Sequence, residues 1–304
     1  MKVVKYICFI CLVFLLSVLS ADEGPKIMVI NSNAAVDKYK TAQDEFTKSI
    51  STPVLKIDLG NQKLKLREIE DLLYDQYPDL VYCIGTKAYL LANKFISDRK
   101  IVFSSILNWR RLPMAQKTYG ISNELNPEMQ ITLYRYIFPG LKKIGVLYSR
   151  KYNKHWFNEA EAVAKEMGVQ IIGKSVSKKR DAIPELKELL KEIDALWLIS
   201  DPVVMPDKKT LLEVFRQCDA SKIPILSYHD AFAEYGAVVV VSVDNPTTGR
   251  QAAAISQEVL FSDVVKKAVQ LPAGSHIFLN LKKANEYGLK YREMALSAVN
   301  TIIE

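Results

Sequence analysis

Short, unbroken apolar runs alternate with amphipathic stretches along most of the chain. In the first half, the predicted strands are 26–30, 54–59, 79–84 and 101–104, and the predicted helices are 35–50, 66–76 and 88–96. A strand that is apolar at every position is covered on both faces, as in a parallel sheet with helices on each side. The pattern therefore predicts an α/β unit.

The same alternation starts again in the second half. Its predicted strands are 143–148, 169–172, 195–199, 223–226, 236–244 and 276–281, and its predicted helices are 158–167, 183–193, 209–218, 247–261 and 281–287. Equivalent first and third strands of the halves are offset by similar distances along the chain, as in a repeat. Two lobes of similar topology explain this pattern better than one long sheet.

The last strands and helices follow the second lobe in sequence, so we expect the chain to pass back and forth between the lobes. The predicted fold class is α/β, with two doubly wound parallel-sheet lobes and a multi-strand hinge. The expected segments are a signal peptide at 1–21, a first lobe at 22–120 plus 246–273, and a second lobe at 121–245 plus 274–304.

The N-terminus has the order of a secretory signal. Lys2 and Lys5 precede an apolar run from Tyr6 to Leu19, and the small residues Ser20 and Ala21 follow it. The run is short for a membrane span, which needs about 20 apolar residues. We therefore expect export to a periplasmic or other extracytoplasmic location, while an uncleaved anchor stays open as the alternative.

Length and charge narrow the function classes. A chain of 304 residues predicts about two domains. Removal of Lys2 and Lys5 with the signal lowers the net charge from +7 to +5. The remaining lysines are spread along predicted helices and alternate with acids, and no basic motif interleaved with aromatics occurs. We therefore predict no nucleic-acid partner.

The sequence contains little that predicts catalysis. It has no GxSxG, HExxH, GxGxxG or GxxxxGK[ST] motif, and after the signal segment at 1–21 it has no CxxC or His/Cys cluster. Cys83 and Cys218 lie in an apolar run and on a helix-like stretch, which favours buried free thiols over a disulfide. His229 beside Asp230 could act as an acid–base pair, but a polar loop is the favoured interpretation. We predict no enzyme activity, no catalytic residue, no cofactor and no metal.

Polar residues follow the predicted strands at their carboxyl ends, where open parallel sheets bind ligands. Helix N-termini there would also offer free N–H groups to an anionic group. Serine, asparagine and aspartate at such positions are also common helix caps, so at any one position both interpretations stay open. The candidate ligand-binding residues are Asn33, Thr86, Asn108, Ser149, Ser200, Asp201, Tyr228, Asp230 and Asp244.

Several short stretches are similar to one protein family. They are Tyr119-Gly-Ile-Ser, Leu-Lys-Lys-Ile-Gly-Val-Leu-Tyr at 141–148, Ile223-Pro-Ile-Leu, Tyr235-Gly-Ala, Gly249-Arg-Gln, Phe278-Leu-Asn-Leu and Ala284-Asn-Glu-Tyr-Gly-Leu. Together they resemble the ABC-transporter substrate-binding proteins of the type I periplasmic-binding fold, in the branch linked to ligands such as tryptophan or tyrosine. The resemblance extends over nearly the whole mature chain.

The resemblance implies a monomeric solute-binding protein that hands a small polar or amino-acid-like ligand to an ABC permease in the inner membrane. The ligand would lie in the cleft between the lobes, which would close on it about the hinge. Asp201 or Asp230 would pair with an ammonium group, and Thr86 with a helix N-terminus would hold a carboxylate. A periplasmic ligand sensor and, less favoured, an α/β enzyme are the alternatives.

Overall fold

The computed structural model describes residues 24–60, 65–262 and 267–304. The predicted signal peptide at 1–21 lies outside these residues. Within the part of the chain that is described, no helix has the length and apolar character needed to span a membrane.

Six strands form the first sheet, in the order β11-β5-β4-β3-β1-β2, and every pair is parallel. The strands are β1 Ile27–Asn31, β2 Val54–Asp58, β3 Leu80–Ile84, β4 Lys100–Ile106, β5 Thr118–Ser122 and β11 Val269–Gln270. The helices along this part of the chain are α1 Asp37–Ser49, α2 Leu66–Gln76 and α3 Thr86–Phe95.

Seven strands form the second sheet, in the order β13-β12-β10-β9-β8-β6-β7. The strands are β6 Lys143–Tyr148, β7 Gln170–Ser175, β8 Ala195–Trp197, β9 Ile225–Ser227, β10 Val239–Val243, β12 Ser275–Asn280 and β13 Thr301–Ile303. The later helices are α4 Pro127–Ile137, α5 Arg150–Glu166, α6 Ala182–Leu189, α7 Lys208–Ala220, α8 Asn245–Phe261 and α9 Leu281–Glu286. Two α/β lobes with mostly parallel sheets confirm the predicted fold class.

The apolar runs correspond to strands covered on both faces. In β1, Met28 and Ile30 pack into one buried cluster of the first lobe, whereas Ile27 and Val29 pack into the other. This alternation arises because successive side chains of a strand point to opposite faces of the sheet. The second sheet likewise separates two buried clusters, with Val239 and Val241 on one face and Val240 on the other.

Several elements differ from the sequence prediction: strands β5, β11 and β13 were not predicted, and three further differences concern α5, α4 and β12. Helix α5 begins at Arg150, eight residues before the predicted start at 158. The prediction missed this start because the first two turns carry basic residues, which obscure the apolar pattern of Tyr152, Trp156 and Phe157 in the sequence. Helix α4 was not predicted, although Asn126 caps it and Pro127 occupies its first turn. Strand β12 pairs antiparallel with β10, so the second sheet is not wholly parallel.

Among the described residues, the chain passes between the two sheets at 122–127, at 243–245 and at 270–275. Helix α8 follows β10 of the second sheet but packs against α1, β4 and β5 of the first. Strand β11 then pairs with β5, and β12 returns to the second sheet. These connections bring the carboxyl ends of both sets of parallel strands toward the boundary between the lobes.

The contact between α1 and α8 depends on a glycine. A Cβ atom at Gly249 of α8 would lie 2.4 Å from the carbonyl oxygen of Ala42 and 3.0 Å from the backbone nitrogen of Phe46, both in α1. Backbone atoms cannot move aside as a flexible side chain can. The absence of a side chain at Gly249 therefore sets how closely the two helices approach.

We expect Gly249→Ala to destabilise the protein by about 1–3 kcal/mol, because separating two packed helices outweighs the better helix propensity of alanine. The melting temperature, followed by circular dichroism, should fall by about 2–4 °C per kcal/mol for a domain of this size. Gly140→Ala is the matched control, since a Cβ there meets nothing within 4 Å. Equal melting temperatures for the two variants would contradict the proposed steric role.

Candidate functional site

A cavity lies between the lobes at the carboxyl ends of the parallel strands. It contains about 580 Å³ of space not filled by protein, part of it open to solvent. The residues that line it are Leu107, Asn108, Asn123, Glu124, Leu125, Gln130, Asn153, Trp156, Trp197, Leu198, Ile199, Ser200, Tyr228, Val241 and Val243. Both lobes and the 122–127 connection therefore contribute to one site.

Two tryptophans form an aromatic wall of the cavity. The rings of Trp156 and Trp197 meet edge to face with centroids 4.9 Å apart, and Trp197 makes a similar contact with Tyr134 at 5.6 Å. Trp197 and Tyr134 are fully buried, so this arrangement is rigid. Together with Leu198, the rings give this part of the cavity an apolar lining.

The first lobe and the 122–127 connection contribute polar side chains to the cavity. Glu124 is the acidic residue among the described lining residues, and its Oε2 accepts a hydrogen bond of 2.5 Å from Arg110. Its Oε1 accepts no hydrogen bond from the residues that the structure describes. The side-chain amides of Asn108 and Asn123 likewise donate no hydrogen bond to these residues. The cavity thus presents one carboxylate oxygen and two amides to a ligand.

A buried carboxylate organises the strand ends behind the cavity. Oδ2 of Asp201 accepts hydrogen bonds from the backbone nitrogen of Ser149 at 2.7 Å, from Ser149 Oγ at 2.8 Å and from Asn153 Nδ2 at 2.8 Å. Oδ1 accepts from the backbone nitrogens of Val203 and Val204. Asn153 also donates to the Ser200 carbonyl at 3.1 Å. These bonds hold the first turn of α5 against the end of β8.

Tyr228 and His229 follow β9 at the cavity rim. Burial raises the pKa of Tyr228 above its ordinary value, and a hydrogen bond with Ser200 opposes that shift. Burial and the positive charge of Lys38 lower the pKa of His229, whereas Asp230 raises it. His229 Nδ1 lies 2.8 Å from Asp230 Oδ1 and also accepts the backbone N–H of Ala231. The pair lies outside the set of residues that line the cavity.

The structure distributes the nine candidate ligand-binding residues over three environments. Asn108, Ser200 and Tyr228 line the cavity. Ser149 and Asp201 are bonded to each other directly behind it. The other four candidates do not line the cavity. Asn33 accepts a hydrogen bond from the Ala35 N–H, and Asp244 caps α8 by accepting one from the Thr247 N–H. Thr86 is exposed at the start of α3, and 59% of the Asp230 side chain is exposed.

Several cavity residues were not among the sequence candidates: Asn123, Glu124, Gln130, Asn153, Trp156 and Trp197. Asn123 follows β5, so the strand-end rule finds it once that strand is recognised. Asn153 and Trp156 lie within the part of α5 that the sequence prediction left out. Trp197 is inside a strand, where burial in the core is the ordinary explanation of an aromatic residue.

The described residues contain no group of three or more His, Cys, Asp or Glu side chains arranged to hold a metal ion. Cys83 lies in β3 of the first sheet and Cys218 in α7 beside the second, and both are free and buried. Burial raises the pKa of the Cys218 thiol to about 12. Both thiols therefore serve as packing groups in separate lobes.

Comparisons with known proteins agree with this architecture. A sequence model described as "ABC transporter substrate binding protein" matches residues 53–302. The chain is similar to a Streptococcus pneumonia structure described as an ABC domain in complex with L-Trp, with 21% identity over 92% of this chain and 99% of that chain and a TM-score of 0.63. No curated protein matches significantly.

A second solved structure is a substrate binding protein with adhesive properties from Clostridium difficile, in its ligand-free, open form. It has 16% identity over 92% of this chain and 99% of that chain, with a TM-score of 0.70. At these identities the likeness shows the fold. Together with the matching sequence model, it confirms the resemblance inferred from the sequence.

We expect Asp201→Ala to destabilise the protein by about 3 kcal/mol, because the lost carboxylate leaves buried donors of Ser149, Asn153 and Val204 unsatisfied. Urea unfolding followed by circular dichroism measures this loss. Asp230→Ala is the control, and its exposed site should keep stability within about 0.5 kcal/mol. Similar losses in both variants would contradict the structural role of Asp201.

Proposed function

The chain belongs to the family of ABC transporter substrate binding proteins, and we propose that it captures an aromatic amino acid in the cavity between its lobes. The observation that carries this proposal is the pairing of an aromatic wall, Trp156 and Trp197, with a polar side that contains Glu124. A small pocket that is mostly apolar, with a few placed polar groups, is the usual site for a ligand of this kind.

The polar side suits a zwitterionic head group. Oε1 of Glu124 would accept a hydrogen bond from the ammonium, and the amides of Asn108 and Asn123 would donate to the carboxylate. This assignment replaces Asp201 as the ammonium partner, because both oxygens of Asp201 already accept hydrogen bonds from protein. The L-Trp complex of the similar Streptococcus protein supports a ligand with an indole-sized ring.

Capture would occur by hinge closure. Asn108 comes from the first lobe and Ser200 and Tyr228 come from the second, so a ligand contacts the complete set only when the lobes approach. A ligand that binds the closed form better shifts the population toward that form. The connections at 122–127, 243–245 and 270–275 would serve as the hinge.

The family supports the remaining parts of the proposal. The protein would work outside the cytoplasm as a monomer, with residues 1–21 as its signal peptide and 22–120 plus 246–273 as its first lobe. It would deliver its ligand to an ABC permease, would bind no nucleic acid and would not turn its ligand over. A turnover screen tests the last point, since chemical conversion of the bound ligand would contradict it.

Isothermal titration with L-tryptophan, L-tyrosine and L-phenylalanine tests the ligand class directly. We expect saturable heat from at least one of them, and none from L-glutamate or glucose, because the cavity wall is aromatic and its acidic lining residue repels a second carboxylate. Heat from L-glutamate alone, or from none of the aromatic amino acids, would count against the proposal.

We expect Glu124→Gln to weaken binding of the preferred aromatic amino acid by about tenfold, since it removes a charged hydrogen-bond acceptor for the ammonium. Glu128→Gln is the matched control, because Glu128 is exposed on α4 and does not line the cavity. Titration calorimetry of the two variants measures the difference. Equal affinities would exclude Glu124 as the ammonium partner.

A further inference from the structure

A short 3₁₀ turn after β4, Trp109–Arg111, connects the cavity to the other lobe. Asn108 immediately precedes the turn and lines the cavity, with a left-handed backbone (φ 55°). Arg110 binds Glu124, which lines the cavity from the 122–127 connection. Arg111 extends in another direction, to α5 of the second lobe. One turn of the first lobe thus holds both a ligand-facing residue and an interlobe contact.

The interlobe contact of Arg111 has two parts. Its Nη2 donates a hydrogen bond of 2.7 Å to the carbonyl oxygen of Lys151, and its guanidinium carbon lies 3.4 Å from the centre of the Tyr152 ring. A planar guanidinium stacked on an aromatic face combines cation–π attraction with close packing, which a lysine ammonium cannot reproduce. The contact therefore depends on the identity of both side chains.

The contacted turn of α5 also belongs to the cavity. Asn153 follows Tyr152 directly, lines the cavity and donates to Asp201. Trp156 lies one turn further along and forms part of the aromatic wall. Asp201 holds this turn of α5 in place, and the turn carries both Tyr152 and cavity residues of the second lobe. The contact between Arg111 and Tyr152 is therefore coupled to the position of those cavity residues.

The charges around this contact oppose it. Arg150, Lys151 and Lys154 lie in the first turns of α5, and the N-terminus of a helix is itself positive. Arg111 approaches this region as another cation, so the ring and carbonyl contacts are partly offset by repulsion. The side chain is also exposed, which limits the strength of a cation–π contact. The balance suits a contact that forms and breaks readily.

We infer that Arg111 and Tyr152 form an interlobe latch that biases the lobes toward closure and slows ligand escape without touching the ligand. The effect on escape rests on the proposed function, whereas the effect on lobe separation does not. Arg111 is accordingly a positioning residue: it sets the closing equilibrium, and the cavity residues set the ligand contacts.

Small-angle X-ray scattering of the purified protein, dialysed free of small molecules, tests the latch without any ligand. We expect Arg111→Gln and Tyr152→Leu to increase the radius of gyration, because each removes the stacked pair. Tyr152→Phe keeps the ring and should match the unsubstituted protein. Arg180→Gln is the matched control, since Arg180 is exposed on the second lobe beside Asp181 and takes no part in this contact.

Release of radiolabelled L-tryptophan, chased with unlabelled L-tryptophan, tests the effect on escape. We expect Arg111→Gln and Tyr152→Leu to speed release roughly two- to fivefold, the effect of losing an exposed cation–π contact. The double variant should behave like Arg111→Gln alone, because the two residues act through one contact. Tyr152→Phe and Arg180→Gln should release at the unsubstituted rate.

The outcomes separate the latch from the proposed function. An unchanged radius in either Arg111→Gln or Tyr152→Leu overturns the latch, as does an additive double variant. If the unsubstituted protein binds no L-tryptophan, the ligand proposal fails while the scattering still decides the latch. Melting temperatures identify any variant that fails to fold. Because the exposed Arg111 and the half-buried Tyr152 are substituted separately, the single variant that does fold then decides whether the latch exists.

Discussion

The arrangement of the site depends on the hydrogen bonds that the Asp201 carboxylate accepts. This carboxylate accepts hydrogen bonds from Ser149, which directly follows β6, and from Asn153 in the first turn of α5. A buried carboxylate is costly unless it is fully hydrogen-bonded, so these donors are constrained to one geometry. That geometry directs Trp156 into the cavity and Tyr152 toward the opposite lobe. Ligand contact and lobe contact thus share one support.

The cavity separates two physical tasks between its walls. The aromatic wall is rigid, since Trp197 packs against Tyr134 in the core of the second lobe. The polar wall comes from the turn after β4 and from the connection that follows β5, so it moves with the hinge and the first lobe. A ligand with a ring and a charged head group would bridge the walls, which makes closure and recognition one event.

Much of the fold follows from local sequence. Apolar runs such as 79–84 predict strands covered on both faces, and β3 is such a strand with every residue buried. The elements that were missed have identifiable causes. The basic residues around Tyr152 conceal the amphipathic pattern of α5, and the antiparallel direction of β12 depends on how the chain returns through β11, which no local pattern encodes.

The sequence by itself determined the two-lobed α/β class and located the polar residues that directly follow the parallel strands, because both depend on side-chain periodicity. It named Asn108, Ser200 and Tyr228, which line the cavity. Tertiary structure decided that Asp201 is bonded to protein, that Glu124 faces the cavity and that Arg111 contacts Tyr152. Strand ends are local features, but whether a polar group there meets a ligand or another strand end depends on contacts between residues far apart in the chain.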